Sequence, residues 1–140
     1  MLNSESIAAR ARHLQERLKF LKRYGALDEQ AYLADRTVQV AAERDFQVAI
    51  ECCLDIAKHV IVGRELQLPG ELRQVFSVLA QAGLLPADLA EGMTEMTKLR
   101  NRLVHWYMTI EPDKIYAYLR TDVPLLERFA AFATALLATE

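Results

Sequence analysis

The chain has 140 residues, a formal net charge of −2, 52% hydrophobic residues and 26% charged ones. That length fits one domain, residues 1–140, which buries roughly two-thirds of the surface its unfolded form exposes and so needs no disulfide or metal staple. The acidic balance excludes a wholesale nucleic-acid coat, and any anionic substrate must be met by a concentrated cationic patch, or by one doubled in an oligomer.

In chain order, Asn3 or Ser4 caps a first helix that runs to about Tyr24, with Gly25 as its stop. Ile7, Ala11, Leu14, Leu18 and Leu21 recur at three- and four-residue steps and define its apolar face. Arg10, Arg12, Arg17, Lys19, Lys22 and Arg23 fall elsewhere, as a solvated basic face. Asp28 caps a second helix reaching about Val62. Unbroken, it would extend about 50 Å, too long for a compact domain, so it is either broken or projects towards another subunit. Cys52 and Cys53 within it point about 100° apart and cannot bond each other; they read as small buried hydrophobes in a reducing compartment.

Residues 63–70 form a linker punctuated by Pro69 and Gly70. A third helix spans about Glu71 to Ala82, ended by Gly83. A fourth begins near Pro86, with Asp88 as a candidate cap, and carries Leu89, Met93, Met96, Leu99 and Leu103 on one side. Pro112 and Asp113 open the last helical region, which Pro124 kinks or divides near Thr121 and Asp122. No strand pattern, repeat or low-complexity tract is visible. Tyr24, Tyr32, Tyr116 and Tyr118 read as packing residues. Five helical segments with short connections predict an all-α antiparallel bundle. Charges within Met1–Arg12 exclude a leader core, and no apolar run nears the roughly 20 residues that span a bilayer, so a cytoplasmic protein without membrane partners is expected.

The chemistry concentrates in Lys98-Leu99-Arg100-Asn101-Arg102-Leu103-Val104-His105-Trp106-Tyr107. On a continuous helix Asn101 and His105 share a side, while Arg100 lies apart from both. The groups converge better if the helix ends near His105 and the chain turns before Pro112. Arginine offers a planar fork for phosphate, and histidine moves a proton near neutral pH. Together they suit phosphodiester cleavage without a metal: a 2′-hydroxyl is deprotonated, the leaving oxygen is protonated, and arginine stabilises the charge growing on phosphorus. Two proton-handling groups are needed, yet His13 and His59 belong to other helices. A two-fold homodimer bringing two copies of His105 and Arg100 to one cleft would supply them. The alternative is structural: arginine and histidine at a helix C-terminus also stabilise its dipole and cap its carbonyls.

Glu51, Asp55 and His59 recur every four residues as a polar stripe on an apolar helix. They either orient His105 and line the cleft or form a paired surface stripe. A metal site would need ligands from another helix, and no Glu-x-x-His partner exists. No metal and no cofactor is expected, since glycine-rich phosphate loops and Cys/His zinc spacings are absent as well.

The order Arg100, four residues, His105, one residue, Tyr107 resembles the signature of HEPN-domain ribonucleases. Thr37-Val38, Ala42-Glu43-Arg44, the run from Glu51 to Val60, and Leu79-Ala80 with Gly83-Leu84 extend the resemblance to the HepT toxin branch, over nearly all of residues 28–130. The resemblance implies a four- to five-helix HEPN-type bundle that homodimerises around a metal-independent RNase cleft. Arg100 and His105 map onto the family's catalytic pair, and Asn101 onto the polar residue beside it. Tyr107 maps onto the tyrosine that a cognate minimal nucleotidyltransferase antitoxin adenylylates, where an anionic AMP would block the cleft. Arg102 and Trp106 are candidate RNA contacts; Trp106 either stacks a base or fills the dimer seam, where a large apolar side chain gains most from burial. The implied function is an endoribonuclease toxin acting on RNA. The alternative is a non-catalytic, nucleotide- or partner-binding helical subunit of a nucleotidyltransferase complex.

Overall fold

The computed structural model describes residues 2–139. Among them there are seven α-helices, two 3-10 turns and no strand. The architecture is all-α, as the apolar periodicity predicts, but two of the five expected segments are divided.

Helix α1 (Ser4–Ala26) is capped by Asn3, whose side-chain oxygen accepts from the Ser6 N–H at 3.2 Å. The predicted apolar face, Ile7 to Leu21, is buried. The helix runs through Gly25 instead of stopping there. A Cβ on Gly25 would lie 3.4 Å from both the Cβ and the carbonyl oxygen of Leu119, so this glycine lets two helices approach closely.

The long second segment is broken. Asp28 caps only the short helix α2 (Glu29–Leu33), and Asp35 caps α3 (Arg36–Gly63), accepting from the Val38 N–H at 3.1 Å. The break is stabilised from inside α3. Buried Gln39 donates its amide to the carbonyl of Tyr32 at 3.1 Å, beside the Asp35 N–H, and to that of Leu33 at 3.0 Å, which the end of α2 leaves open.

A 3-10 turn (Leu72–Gln74) leads into α4 (Val75–Gln81), and Gly83 turns the chain at a φ of +78°, a left-handed conformation that favours glycine. Helix α5 (Ala87–His105) follows Pro86. The N-cap position is Pro86 and not Asp88, which pairs with Arg128 at 2.9 Å and ties α5 to the last helix. Helices α6 (Pro112–Thr121) and α7 (Val123–Ala138) divide at Asp122, just before Pro124.

Helix α1 packs on α3 and α7, while α5 packs on α3, α4 and α7. The core joins Phe76 to Phe129, edge to face at 5.5 Å, and Tyr32 to Tyr116 at 5.3 Å. One polar cluster enters it. Asp45, 5% exposed, accepts from Arg17 at 2.7 Å and from the Tyr24 hydroxyl at 2.9 Å. Arg17 thus leaves the solvated basic face of α1 to bind α3. Burial, and then the bond to Asp45, push the Tyr24 hydroxyl up to about 12. Cys52 and Cys53 are buried and unpaired with each other, and burial raises the Cys52 thiol to about 11. Among the described residues no helix is long and apolar enough to cross a membrane.

Candidate active site at the end of helix α5

Leu89, Met93, Met96, Leu99 and Leu103 are buried, and this apolar stripe fixes the rotation of α5 about its axis. Asn101, Arg102 and His105 are thereby left exposed, and Arg100 half-buried. The helix ends at His105. Trp106, at φ −126° and ψ 35°, leaves helical geometry while its N–H still donates to the Arg102 carbonyl at 2.8 Å. Residues Tyr107–Thr109 then form a 3-10 turn, closed by the Thr109 N–H and hydroxyl on the Trp106 carbonyl at 3.0 and 2.9 Å. The turn predicted between His105 and Pro112 is present.

Arg100 is the anchored member of the group. Its Nε donates to Glu51 on α3 at 3.3 Å, and its Nη1 donates to the side-chain oxygen of Asn101 at 3.1 Å. Glu51 is itself held by Gln47, whose amide donates to the same carboxylate oxygen at 3.2 Å. The guanidinium is therefore clamped on one edge, and most of its N–H donors remain open to an anion. His105, five residues on, stands about 140° around the helix from Arg100 and about 40° from Asn101. It is exposed, and its side chain makes no hydrogen bond or ion pair among the described residues. Asn101 thus lies between the two, bonded to the arginine and on the histidine's side.

The polar stripe on α3 divides. Glu51 faces Arg100, whereas Asp55 pairs with Arg10 at 3.5 Å and Lys58 at 3.3 Å. His59 is half-buried and unpaired. Neither Glu51 nor Asp55 bonds His105. No group of three or more His, Cys, Asp or Glu side chains among the described residues is placed to hold a metal ion.

Beyond His105 three large side chains stand in solvent: Trp106, Tyr107 and Met108 are 62%, 68% and 87% exposed. On the far flank, Arg102 and Trp106 face α6 across a groove of about 450 Å³, which Lys114 and Tyr118 also line. Tyr24, Tyr32 and Tyr116 pack or bond internally, but Tyr118 does reach this groove. Sequence periodicity did not mark Gln47 or the α6 residues, because their relation to α5 depends on tertiary packing. Only the Gln47–Glu51 spacing of four hints at the first of them.

Comparison with known proteins decides the family. The sequence model of the family described as ribonuclease HepT-like matches residues 14–132. The chain belongs to that family. Among curated HepT-like relatives, an mRNA nuclease HepT from Shewanella oneidensis is 29% identical over 102 residues, 73% of this chain and 77% of that protein. A tRNA nuclease HepT from Aphanizomenon flos-aquae is 27% identical over 99 residues, 71% of this chain and 67% of that protein. Among solved structures, a tri-AMPylated Shewanella oneidensis HEPN toxin in complex with MNT antitoxin is 25% identical, with a TM-score of 0.86 covering 96% of this chain and 99% of that one. The matched span contains α5 and the whole of residues 98–107, so the HepT-like assignment includes the candidate site itself.

Proposed function

We propose that this HepT-like chain is a metal-independent endoribonuclease toxin that works as a homodimer. The observation that carries the reading is the clamped Arg100, held between Glu51 and Asn101 on the helix end that also carries the unpaired imidazole of His105. The names of the HepT relatives, an mRNA nuclease and a tRNA nuclease, supply the substrate class. In this reading Arg100 clamps the scissile phosphate, Asn101 orients it, and His105 transfers protons. The 2′-oxygen loses its proton, bonds to phosphorus and displaces the 5′-oxygen, which takes up a proton as the P–O5′ bond breaks. One imidazole cannot hold both roles in one step, and each protomer has a single histidine at this end. A two-fold arrangement of α5 ends provides the second imidazole and doubles the cations against an acidic chain.

We further infer that Tyr107 is the site at which a nucleotidyltransferase antitoxin silences the enzyme. The phenol is largely exposed in the turn after His105, within reach of a second protein. Attack of its oxygen on the α-phosphorus of ATP, with release of pyrophosphate, would leave a bulky anion beside the cleft, repelling RNA phosphate. AMPylation of the similar Shewanella oneidensis HEPN toxin in complex with MNT antitoxin supports this assignment. Buried free thiols fit a reducing cytoplasm.

The test is RNA cleavage in excess chelator by the purified protein and by His105→Ala. Because His105 is exposed, the variant should fold normally. Cleavage by the parent alone supports the reading, and equal cleavage by both removes it. Dimer mass in solution, and AMP added at Tyr107 but not to Tyr107→Phe, test the two remaining parts.

A further inference from the structure

The groove between the end of α5 and the start of α6 lies outside the catalytic group but shares its helix end. Leu99 and Ile115 contribute apolar surface, Trp106 and Tyr118 contribute aromatic rings, and Arg102 and Lys114 contribute cations. Its volume of about 450 Å³ falls within the range of pockets that take small organic ligands. Arg102 makes no side-chain hydrogen bond or ion pair among the described residues, so its fork is free for an anion. Among the described residues Lys114 pairs only with Glu111, at 3.1 Å, through two solvent-exposed side chains that an incoming phosphate can separate. Two cations against one carboxylate leave the groove net positive on a chain whose formal charge is −2.

We propose that this groove seats one unstacked nucleotide of single-stranded RNA, next to the one being cleaved. The proposal rests on the ribonuclease reading for the identity of the strand. The base would lie against the Trp106 indole, with Tyr118 at the groove's other wall, and the phosphate would meet Arg102 and Lys114. Continuity supports this. Arg102 and Trp106 are one turn apart on the helix end that carries Asn101 and His105, so a strand crossing the cleft runs directly into the groove. Stacking needs an extruded base, which a single strand offers and an A-form duplex does not. The enzyme would therefore prefer unpaired RNA without reading its sequence closely, since every base has a face to stack.

Trp106 is the only tryptophan in the chain, so its emission reports on this groove alone. The experiment titrates His105→Ala protein, in chelator, with a short mixed-sequence single-stranded RNA and with a duplex of equal length. Binding is read in parallel by anisotropy of labelled RNA. Saturable quenching of Trp106 by the single strand, at lower concentrations than by the duplex, is expected. Adding Trp106→Ala should weaken single-strand binding about tenfold or more, while Trp106→Phe restores most of it. Adding Arg102→Ala or Lys114→Ala should lower the slope of log affinity against log salt by about 0.7 each.

The proposal is overturned if RNA saturates the anisotropy while Trp106 emission stays unchanged, or if no RNA binds. It is overturned equally if both cation variants keep the full salt slope. Emission that is already that of a buried indole and indifferent to RNA would place Trp106 in a seam between two copies, which also overturns it. Failures of the two readings separate. Cleaving protein with a silent Trp106 removes the groove and keeps the nuclease, whereas a responsive Trp106 in a wild-type protein that cuts nothing does the reverse.

Discussion

Replacing Glu51 by alanine removes the carboxylate that receives the Nε of Arg100 at 3.3 Å and the amide of Gln47 at 3.2 Å. The two charged side chains are 24% and 36% exposed, so the pair is half in water, and its loss should cost stability about 1 kcal/mol or less. For a chain of this size that is a fall of roughly 3 °C in melting temperature. Catalysis should suffer far more. Without Glu51 the guanidinium swings on its long stem, and misplacing a clamping group by about 1 Å can cost up to roughly 100-fold in rate. The loss should fall on kcat. Freeing the arginine from its counter-charge leaves its attraction for RNA intact or greater, so KM should not rise. Glu51→Gln keeps an acceptor oxygen in place and should recover most of the rate. The assay is steady-state cleavage of a fluorogenic RNA beside a thermal melt. Wild-type kcat in Glu51→Ala would refute the idea that α3 aims Arg100. A collapse in melting temperature of 10 °C or more would recast Glu51 as part of the scaffold, on the scaling of about 3 °C per kcal/mol.

Asp45→Ala should destabilise the fold by about 2 to 3 kcal/mol in urea denaturation, because the Arg17 guanidinium loses its buried partner and keeps the exposed Glu16. Tyr24→Phe, which removes one hydrogen bond to the same carboxylate, should cost about 1 kcal/mol; equal effects of the two would contradict the ordering. At Gly83, where φ is +78°, alanine should cost about 1 kcal/mol, whereas at Gly70, which has open space around it, alanine should shift stability by less than about 0.5 kcal/mol. With its pKa near 11 and its side chain buried, Cys52 should resist iodoacetamide at pH 8 in the native protein, as should Cys53. Both should react in urea, and two adducts appearing in the folded protein by intact mass would show that α3 opens readily.

The helical class, the buried face of α1 and the breaks at Gly83 and Pro124 follow from local signals: apolar spacing, a backbone that needs glycine, a missing N–H. Asp35 escaped notice because an aspartate inside a long periodic pattern looks like one more exposed helical residue. It caps α3 through the Val38 N–H, and the break before it is held by Gln39 reaching back to the carbonyls of Tyr32 and Leu33, an interaction that spacing alone does not announce. Gly25 misled in the opposite way. It sits where a helix stop belongs, yet it serves the packing of Leu119. At the candidate site, the residues of α5 and the turn after His105 were legible because they are contiguous. Glu51 was visible as part of a stripe, but its partner Arg100 lies 49 residues away, and so its separation from Asp55 was not. The groove was invisible for the same reason, since neither α5 nor α6 contains it by itself.

The first helix lies against both α3 and the last helix, α7. During synthesis residues 4–26 emerge well before their second neighbour, and they meet it only after residues 123–138 have left the ribosome. By then the strip carrying Arg100 and His105 has already been made. A stalled or clipped chain would hold that strip on an unfinished frame, so the wiring of the bundle delays completion of this surface until residues 123–138 are in place.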